Sequence, residues 1–138
     1  MTAPLAIPRP LPQPTPITQP FWDAAREHRL SMQRCRSCEK FVFYPRPLCS
    51  HCGSDDLEWR DLSGRATVYS YTIARRATAR PFEPDVPYVI AIVELDEGPR
   101  MTTNIVGCPP EDVRIGMPVL AHFEDASDEI TLVKFRPA

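Results

Sequence analysis

The segment CRSCEKFVFYPRPLCSHC, residues 35–52, contains two Cys-x-x-Cys pairs that are separated by ten residues. A two-residue gap lets both thiolates of a pair turn toward one ion, and four thiolates complete a tetrahedral shell around zinc. The spacing therefore predicts one Zn²⁺ per chain, bound by Cys35, Cys38, Cys49 and Cys52. Disulfides and a rubredoxin-type iron are the alternatives, and the red colour of an iron site distinguishes it from zinc.

A closed shell of four sulfurs determines what such an ion can do. It leaves no coordination position for water or substrate, so we expect the zinc to be structural rather than catalytic. A ribbon of roughly 25 residues buries too little apolar surface to fold alone, so metal binding would supply its folding free energy. His51 stands between two ligands and is interpreted as a solvent-facing neighbour of the site. Cys108 has no nearby His–carboxylate pattern and is expected to be a small buried side chain.

Downstream of the ribbon the hydrophobic pattern becomes that of β-strands. Alternation over 65–74 and the run YVIAIVEL over 88–95, typical of a strand covered on both sides, predict two strands. Three more are predicted at 101–106, 119–123 and 130–135, with turn-forming residues between them. Five short strands predict a five-stranded OB-fold barrel over 61–138, with a small sandwich as the alternative.

Upstream of the ribbon, which we place at 34–60, the sequence predicts two further segments. Residues 1–17 are a proline-rich arm with the extended character of polyproline II, either loose or laid on a partner. Residues 18–33 are predicted as an N-terminal helical segment, with a helix over 18–29 whose apolar side includes Phe21 and Trp22. We expect these two rings to dock on another domain or chain. The predicted fold class is mainly β: a helix, a rubredoxin-like zinc ribbon and an OB-fold.

Length and charge exclude several classes of protein. A chain of 138 residues has no room for a large enzyme core, and its formal charge of −2 supplies no basic field for a polyanion. Residues 61–138 alone carry 8 basic and 12 acidic side chains, a net −4 that argues against a single-stranded nucleic-acid-binding OB-fold. No run of about 18 apolar residues and no signal peptide is recognisable, so the expected location is cytoplasmic, without membrane contact.

Four stretches of the chain resemble a known family. They are FWDAAREHRLSMQRCRSC (21–38), YPRPLCSHCGSDDLEWRDLSGRATVYSYT (44–72), PYVIAIVELDEGPRMTTNIVG (87–107) and DVRIGMPVLAHFE (112–124). Their combination is similar to the acyl-CoA-associated family that joins a rubredoxin-like zinc ribbon to a C-terminal OB-fold. One departure is Glu39, which stands where such ribbons usually carry glycine.

The resemblance implies a function without chemistry of its own. Members of that family bind thiolase-like enzymes, including lipid-transfer-protein type thiolases and the aldolases of sterol side-chain degradation, and some accompany hot-dog hydratases. It therefore implies an accessory, non-catalytic subunit of a hetero-oligomeric acyl-CoA enzyme, and the chain's lack of a nucleophile–His–carboxylate pattern agrees with this. The alternative is a protein that contacts acyl-CoA directly. For that contact, or for docking to the partner, the candidates are Arg75, Arg76 and Arg80, because guanidinium groups match phosphate geometry.

Overall fold

A computed structural model describes residues 9–138, and its fold is mainly β with one helix at the N-terminal end. The helix α1 (Gln19–Arg26) precedes a three-stranded sheet and a five-stranded barrel. The sheet strands are β1 (Ser31–Cys35), β2 (Phe41–Val42) and β3 (Leu57–Asp61). The barrel strands are β4 (Arg65–Ala74), β5 (Tyr88–Leu95), β6 (Arg100–Ile105), β7 (Pro118–Asp125) and β8 (Thr131–Pro137). Within residues 9–138 no helix is long and apolar enough to cross a membrane.

The barrel is closed in the order β4-β5-β6-β8-β7, which confirms the predicted OB-fold. All neighbouring strands are antiparallel except β6 and β8, which pair in parallel at a single register position, Ile105 with Phe135. Alternate residues of β5 point inward, and Phe135 of β8 is fully buried among them. Two strand predictions agree with the structure at both ends, and the other three differ by one or two residues.

The helical segment is shorter than the sequence predicted. The prediction of helix over 18–29, within a segment reaching residue 33, is wrong beyond Arg26, because Ser31–Cys35 is the strand β1. His28 has a φ of 59°, in the left-handed region, and its N–H donates to the Ala25 carbonyl oxygen at 2.8 Å. A left-handed residue of this kind ends a helix. Pairing of β1 with β3 along its whole length then outweighs the local helical preference.

Phe21 and Trp22 belong to the interior of this chain. Their exposed fractions are only 3% and 8%, and they share one core cluster with Met32 of β1 and the inward-facing residues of the barrel. The Phe21 ring also lies 5.0 Å from the Trp22 ring and 5.8 Å from the Phe43 ring, between centroids. Of the two surfaces expected from the sequence, another domain or another chain, the structure shows the first, and docking of these two rings on a partner chain is corrected. They join the helix to the ribbon and barrel, because this packing removes their apolar surface from water.

A second contact fixes the end of α1 to the barrel. The His28 ring stacks on the Phe123 ring of β7 with centroids 5.3 Å apart and planes only 6° from parallel. Its Nε2 lies 2.9 Å from Oδ1 of Asp125, and this hydrogen bond lowers the pKa of that carboxyl. The helix is thus attached to the barrel by stacking and by a polar contact.

Candidate metal centre

The four predicted ligands come together at one point of the ribbon. The Sγ atoms of Cys35, Cys38, Cys49 and Cys52 all lie within 4.8 Å of one another. Two of the separations are 3.6 Å, from Cys35 to Cys52, and 3.7 Å, from Cys38 to Cys49. A tetrahedron with Zn–S bonds of about 2.3 Å has edges of about 3.8 Å. The donor set and its spacing therefore fit a tetrahedral thiolate-bound zinc ion.

Two similar turns place the sulfurs. In the first turn the N–H of Glu39 donates to the Cys35 carbonyl oxygen at 2.8 Å, and in the second the N–H of Gly53 donates to the Cys49 carbonyl oxygen at 2.9 Å. The φ angles of Glu39 and Gly53 are 65° and 80°, so both residues are left-handed. Glu39 thus keeps the turn that glycine usually makes, although its side chain raises the cost of this conformation.

Backbone N–H groups also point at the sulfurs. The N–H of Cys38 donates to Cys35 Sγ at 3.5 Å and lowers the pKa of that thiol. Burial opposes ionisation of Cys49, yet the N–H groups of Cys52 and His51 bring the pKa of its thiol down to about 6. The Ser54 N–H favours the Cys52 thiolate, but bonds to the neighbouring sulfurs raise the pKa of Cys52 to about 12. Four thiolates this close require a cation to neutralise them.

Two further residues considered from the sequence are His51 and Cys108, and the side chain of neither joins the sulfur cluster. His51 is exposed, and its Nε2 is 3.0 Å from the Phe41 carbonyl oxygen, so the ring faces the backbone of β2. Cys108 is half-buried against the main core rather than fully buried, and desolvation raises the pKa of its thiol. A raised pKa keeps a thiol protonated, which is unlike an activated nucleophile.

The three candidate arginines lie on the long loop between β4 and β5. All of them are exposed, and Arg75 Nη1 is 3.9 Å from Glu111 Oε1. Within residues 9–138, neither Arg76 nor Arg80 has a carboxylate oxygen within 4.0 Å. The loop therefore presents two cationic groups without a carboxylate partner in the described structure.

The hydrophobic pattern of the sequence did not reveal an apolar surface that extends from the ribbon over the outside of the barrel. Its members are Tyr44, Tyr69, Ile90 and Ile92, whose exposed fractions lie between 37% and 47%, and we call these four residues the docking face. A cavity of about 650 Å³ adjoins it, and Phe21, Trp22, Tyr44, Tyr69 and Ile92 line this cavity. The run YVIAIVEL was interpreted as a strand covered on both sides, but within 9–138 nothing fully covers its outer isoleucines. That run was the signal that could have located the surface.

Two family models match the chain, and the boundary between them falls within β3, a few residues before the barrel begins at β4. Residues 22–58 match the model described as "ChsH2, rubredoxin-like zinc ribbon domain", and residues 59–124 match "ChsH2, C-terminal OB-fold domain". Together the two matches span both the four-cysteine cluster and most of the barrel.

Two relatives have different lengths. A "DUF35 domain-containing scaffold protein" of Methanocaldococcus jannaschii is 43% identical over 111 residues, which cover 75% of this chain and 78% of that protein. A "Probable enoyl-CoA hydratase alpha subunit" of Thermomonospora curvata is 45% identical over 119 residues, 86% of this chain. The chain spans only 37% of the length of that hydratase subunit.

A solved structure described as "Ltp2-ChsH2(DUF35) aldolase" contains a chain of the same fold. It superimposes with a TM-score of 0.81 at 41% sequence identity. The match covers 92% of this chain and 98% of that chain, so it includes the ribbon and the barrel together.

Proposed function

This chain belongs to the DUF35 family, in the form that joins a ChsH2 zinc ribbon to a ChsH2 OB-fold, and we propose that it is a non-catalytic accessory subunit of an acyl-CoA enzyme. The partner would be a thiolase-fold enzyme, either a thiolase or a lipid-transfer-protein type aldolase, with sterol side-chain degradation as one setting. The subunit would help to shape the acyl-CoA site of that enzyme. The observation that carries this proposal is the agreement of nearly the whole chain with the DUF35 chain of an aldolase.

The metal is part of the same proposal. We assign one Zn²⁺ to Cys35, Cys38, Cys49 and Cys52, whose sulfur spacing fits a tetrahedral shell. Such an ion supplies no catalysis, because all four positions are occupied by protein sulfur. Its role is to hold the ribbon in the shape that keeps the helix and β1 against the barrel.

The distribution of histidines supports an accessory role. His28 stacks on Phe123, His51 faces the backbone of β2, and His122 is exposed on β7, so no two of them share a site. General acid–base and nucleophilic catalysis need a nucleophile and a base within hydrogen-bond reach of each other. The dispersal of these side chains favours a protein that works through a surface.

The docking face gives the proposal a direct test. Replacing Ile92→Asp should weaken the complex with the partner enzyme at least tenfold, because a buried carboxylate without a partner is costly at an apolar interface. The partner is the acyl-CoA enzyme that co-elutes with the tagged wild-type chain from its native cell, and affinity is measured with the purified components. Ile115→Asp is the matched control, since Ile115 is 71% exposed and outside the docking face.

Two results would count against this function. One is full activity of the partner enzyme without this chain, together with no complex on size exclusion. The other is thioester turnover by the purified chain alone. Equal binding by the Ile92→Asp and wild-type chains would place the contact elsewhere while leaving the accessory role intact.

Direct contact with CoA is a second candidate function, favoured by the guanidinium groups of Arg76 and Arg80, which have no carboxylate partner within residues 9–138. Paired N–H donors of arginine match phosphate oxygens, and exposure leaves them available. Calorimetry with CoA should then show binding by the wild-type chain and a several-fold weaker affinity for Arg76→Ala. Arg26→Ala, which changes an exposed arginine on α1, is the control. No heat with any of the three chains would leave the loop as a docking element.

A further inference from the structure

The described part of the proline-rich arm lies across the barrel rather than away from it. Its first described residue, Arg9, places Nη1 3.3 Å from Asp85 Oδ2 and Nη2 3.6 Å from Glu124 Oε1. Asp85 ends the turn before β5, whereas Glu124 belongs to β7. One guanidinium group therefore connects two separate parts of the barrel to the arm. The portion of the arm at 1–8 lies outside the described residues.

A cavity lies beneath this segment. Its volume is about 970 Å³, and Arg9, Pro10 and Leu11 line it on the side of the arm. The barrel side is contributed by β5, β6 and β8 and by the loops before β5 and after β6, and it includes Ile90 of the docking face. Leu11 is 40% exposed, so its side chain contacts the cavity without being sealed into it.

This cavity shares part of its lining with the cavity beside the docking face. Both cavities are lined by Thr102, Thr103 and Asn104 of β6 and by Leu132 and Lys134 of β8. These two strands pair at only one register position, so the shared lining lies where the backbone pairing of the barrel wall is least extensive. The arm lies over the second cavity, and the docking face extends from Ile90, which lines that cavity, to Tyr44, Tyr69 and Ile92, which line the first.

The far end of the arm is held at the start of α1. The N–H of Thr15 donates to Oγ1 of Thr18 at 2.8 Å, and the N–H of Thr18 donates to the Thr15 carbonyl oxygen at 3.0 Å. Thr18 is 6% exposed, so this turn is anchored in the interior. Between Arg9 and this turn, prolines at alternate positions restrict φ and favour a stiff extended segment.

We propose that residues 9–14 form a strap that opens and closes over the cavity, with Arg9 as the latch and the Thr15–Thr18 turn as the hinge. The hinge end is held by partly buried hydrogen bonds between Thr15 and Thr18, whereas the latch end is held by exposed ion pairs. The side chains of Arg9, Asp85 and Glu124 are 41%, 39% and 32% exposed. Ion pairs of this exposure contribute little to stability and are screened by salt, so the latch end opens first.

Opening of the strap would change the surface available to other molecules. Release of Arg9 would uncover the cavity beside Ile90, which shares lining residues of β6 and β8 with the cavity at the docking face. Stiffness of the proline segment makes the strap move about its hinge as one piece rather than fray residue by residue. The strap is thus a salt-sensitive cover, and its behaviour is independent of the identity of any partner.

Nuclear magnetic resonance of the full-length chain tests this. Besides Arg9, the residues of the strap with amide protons are Leu11 and Gln13. At low salt the order parameters of Leu11 and Gln13 should be near the rigid value of about 0.85. Arg9→Gln should lower both below about 0.6, while the Thr15 amide in the hinge stays ordered. Relaxation of the Ile90 methyl group by a soluble paramagnetic probe should rise at least twofold in the variant. Arg26→Gln, on the exposed side of α1, should change none of these values.

Four results would contradict the strap proposal. Low order parameters for Leu11 in the wild-type chain at low salt would show that no latch holds it. Unchanged order in Arg9→Gln would show that the ion pairs are not the latch. A mobile strap without greater probe access at Ile90 would show that it covers nothing. Raising the salt concentration of the wild-type chain should reproduce the effect of Arg9→Gln, and failure to do so would also overturn the proposal.

Discussion

Cys49→Ser should abolish metal binding and unfold the ribbon, which is the largest single-residue effect that we expect in this protein. The Cys49 side chain is 4% exposed, and its Sγ lies 3.7 Å from that of Cys38, so serine leaves a gap in the sulfur shell. Structural zinc supplies about 10–16 kcal/mol of apparent binding energy in small zinc-finger peptides. The free energy of unfolding of a whole domain is about 5–15 kcal/mol, so the two amounts are comparable.

The measurements for this variant are the zinc content of the purified chain and its thermal unfolding. Wild-type protein should contain one zinc ion per chain, and Cys49→Ser should contain none and should lose the hydrogen-exchange protection of β1–β3. Cys108→Ser is the matched control, because Cys108 is a cysteine that lies outside the cluster. A Cys49→Ser chain that keeps its zinc and its wild-type melting curve would contradict the structural role of the ion.

Phe21→Ala should lower the free energy of unfolding of the isolated chain by about 3–5 kcal/mol. The ring is 3% exposed, touches three other aromatic rings and belongs to the main core, so its removal leaves a cavity between helix, ribbon and barrel. Loss of the aromatic contacts adds to the loss of buried apolar area. In denaturant unfolding the midpoint should fall, while the slope of the free energy of unfolding against denaturant concentration should stay unchanged.

Tyr44→Ala provides the control within the same aromatic group. The Tyr44 ring lies 6.2 Å from the Phe21 ring between centroids but is 42% exposed, so its removal should cost much less stability. If Phe21 were a residue for docking to another chain, the isolated Phe21→Ala protein would unfold at the wild-type midpoint. That result would favour docking of Phe21 on another chain and would contradict its role in the packing of this chain.

The resemblance to a known family predicted more of the fold and function of this protein than its amino-acid composition did. Helix amphipathicity placed Phe21 and Trp22 on one apolar side but could not identify what covers that side. The structure assigns it to Met32 and the barrel of the same chain. Likewise, the run over 88–95 predicted both ends of the strand β5. It also suggested that both faces of the strand are covered, but in the structure Ile90 and Ile92 are each more than a third exposed.

The sequence by itself determined the four sulfur ligands and the strands of the barrel. Both are short-range properties, because a Cys-x-x-Cys turn closes within four residues and strand periodicity repeats every two. Only the tertiary structure decided where α1 ends, which surface buries its aromatic rings, that Arg9 reaches Asp85 and Glu124, and which face of β5 stays open. These features join residues up to 115 positions apart, and their geometry follows from how the closed barrel and the ribbon pack together, which no local pattern encodes.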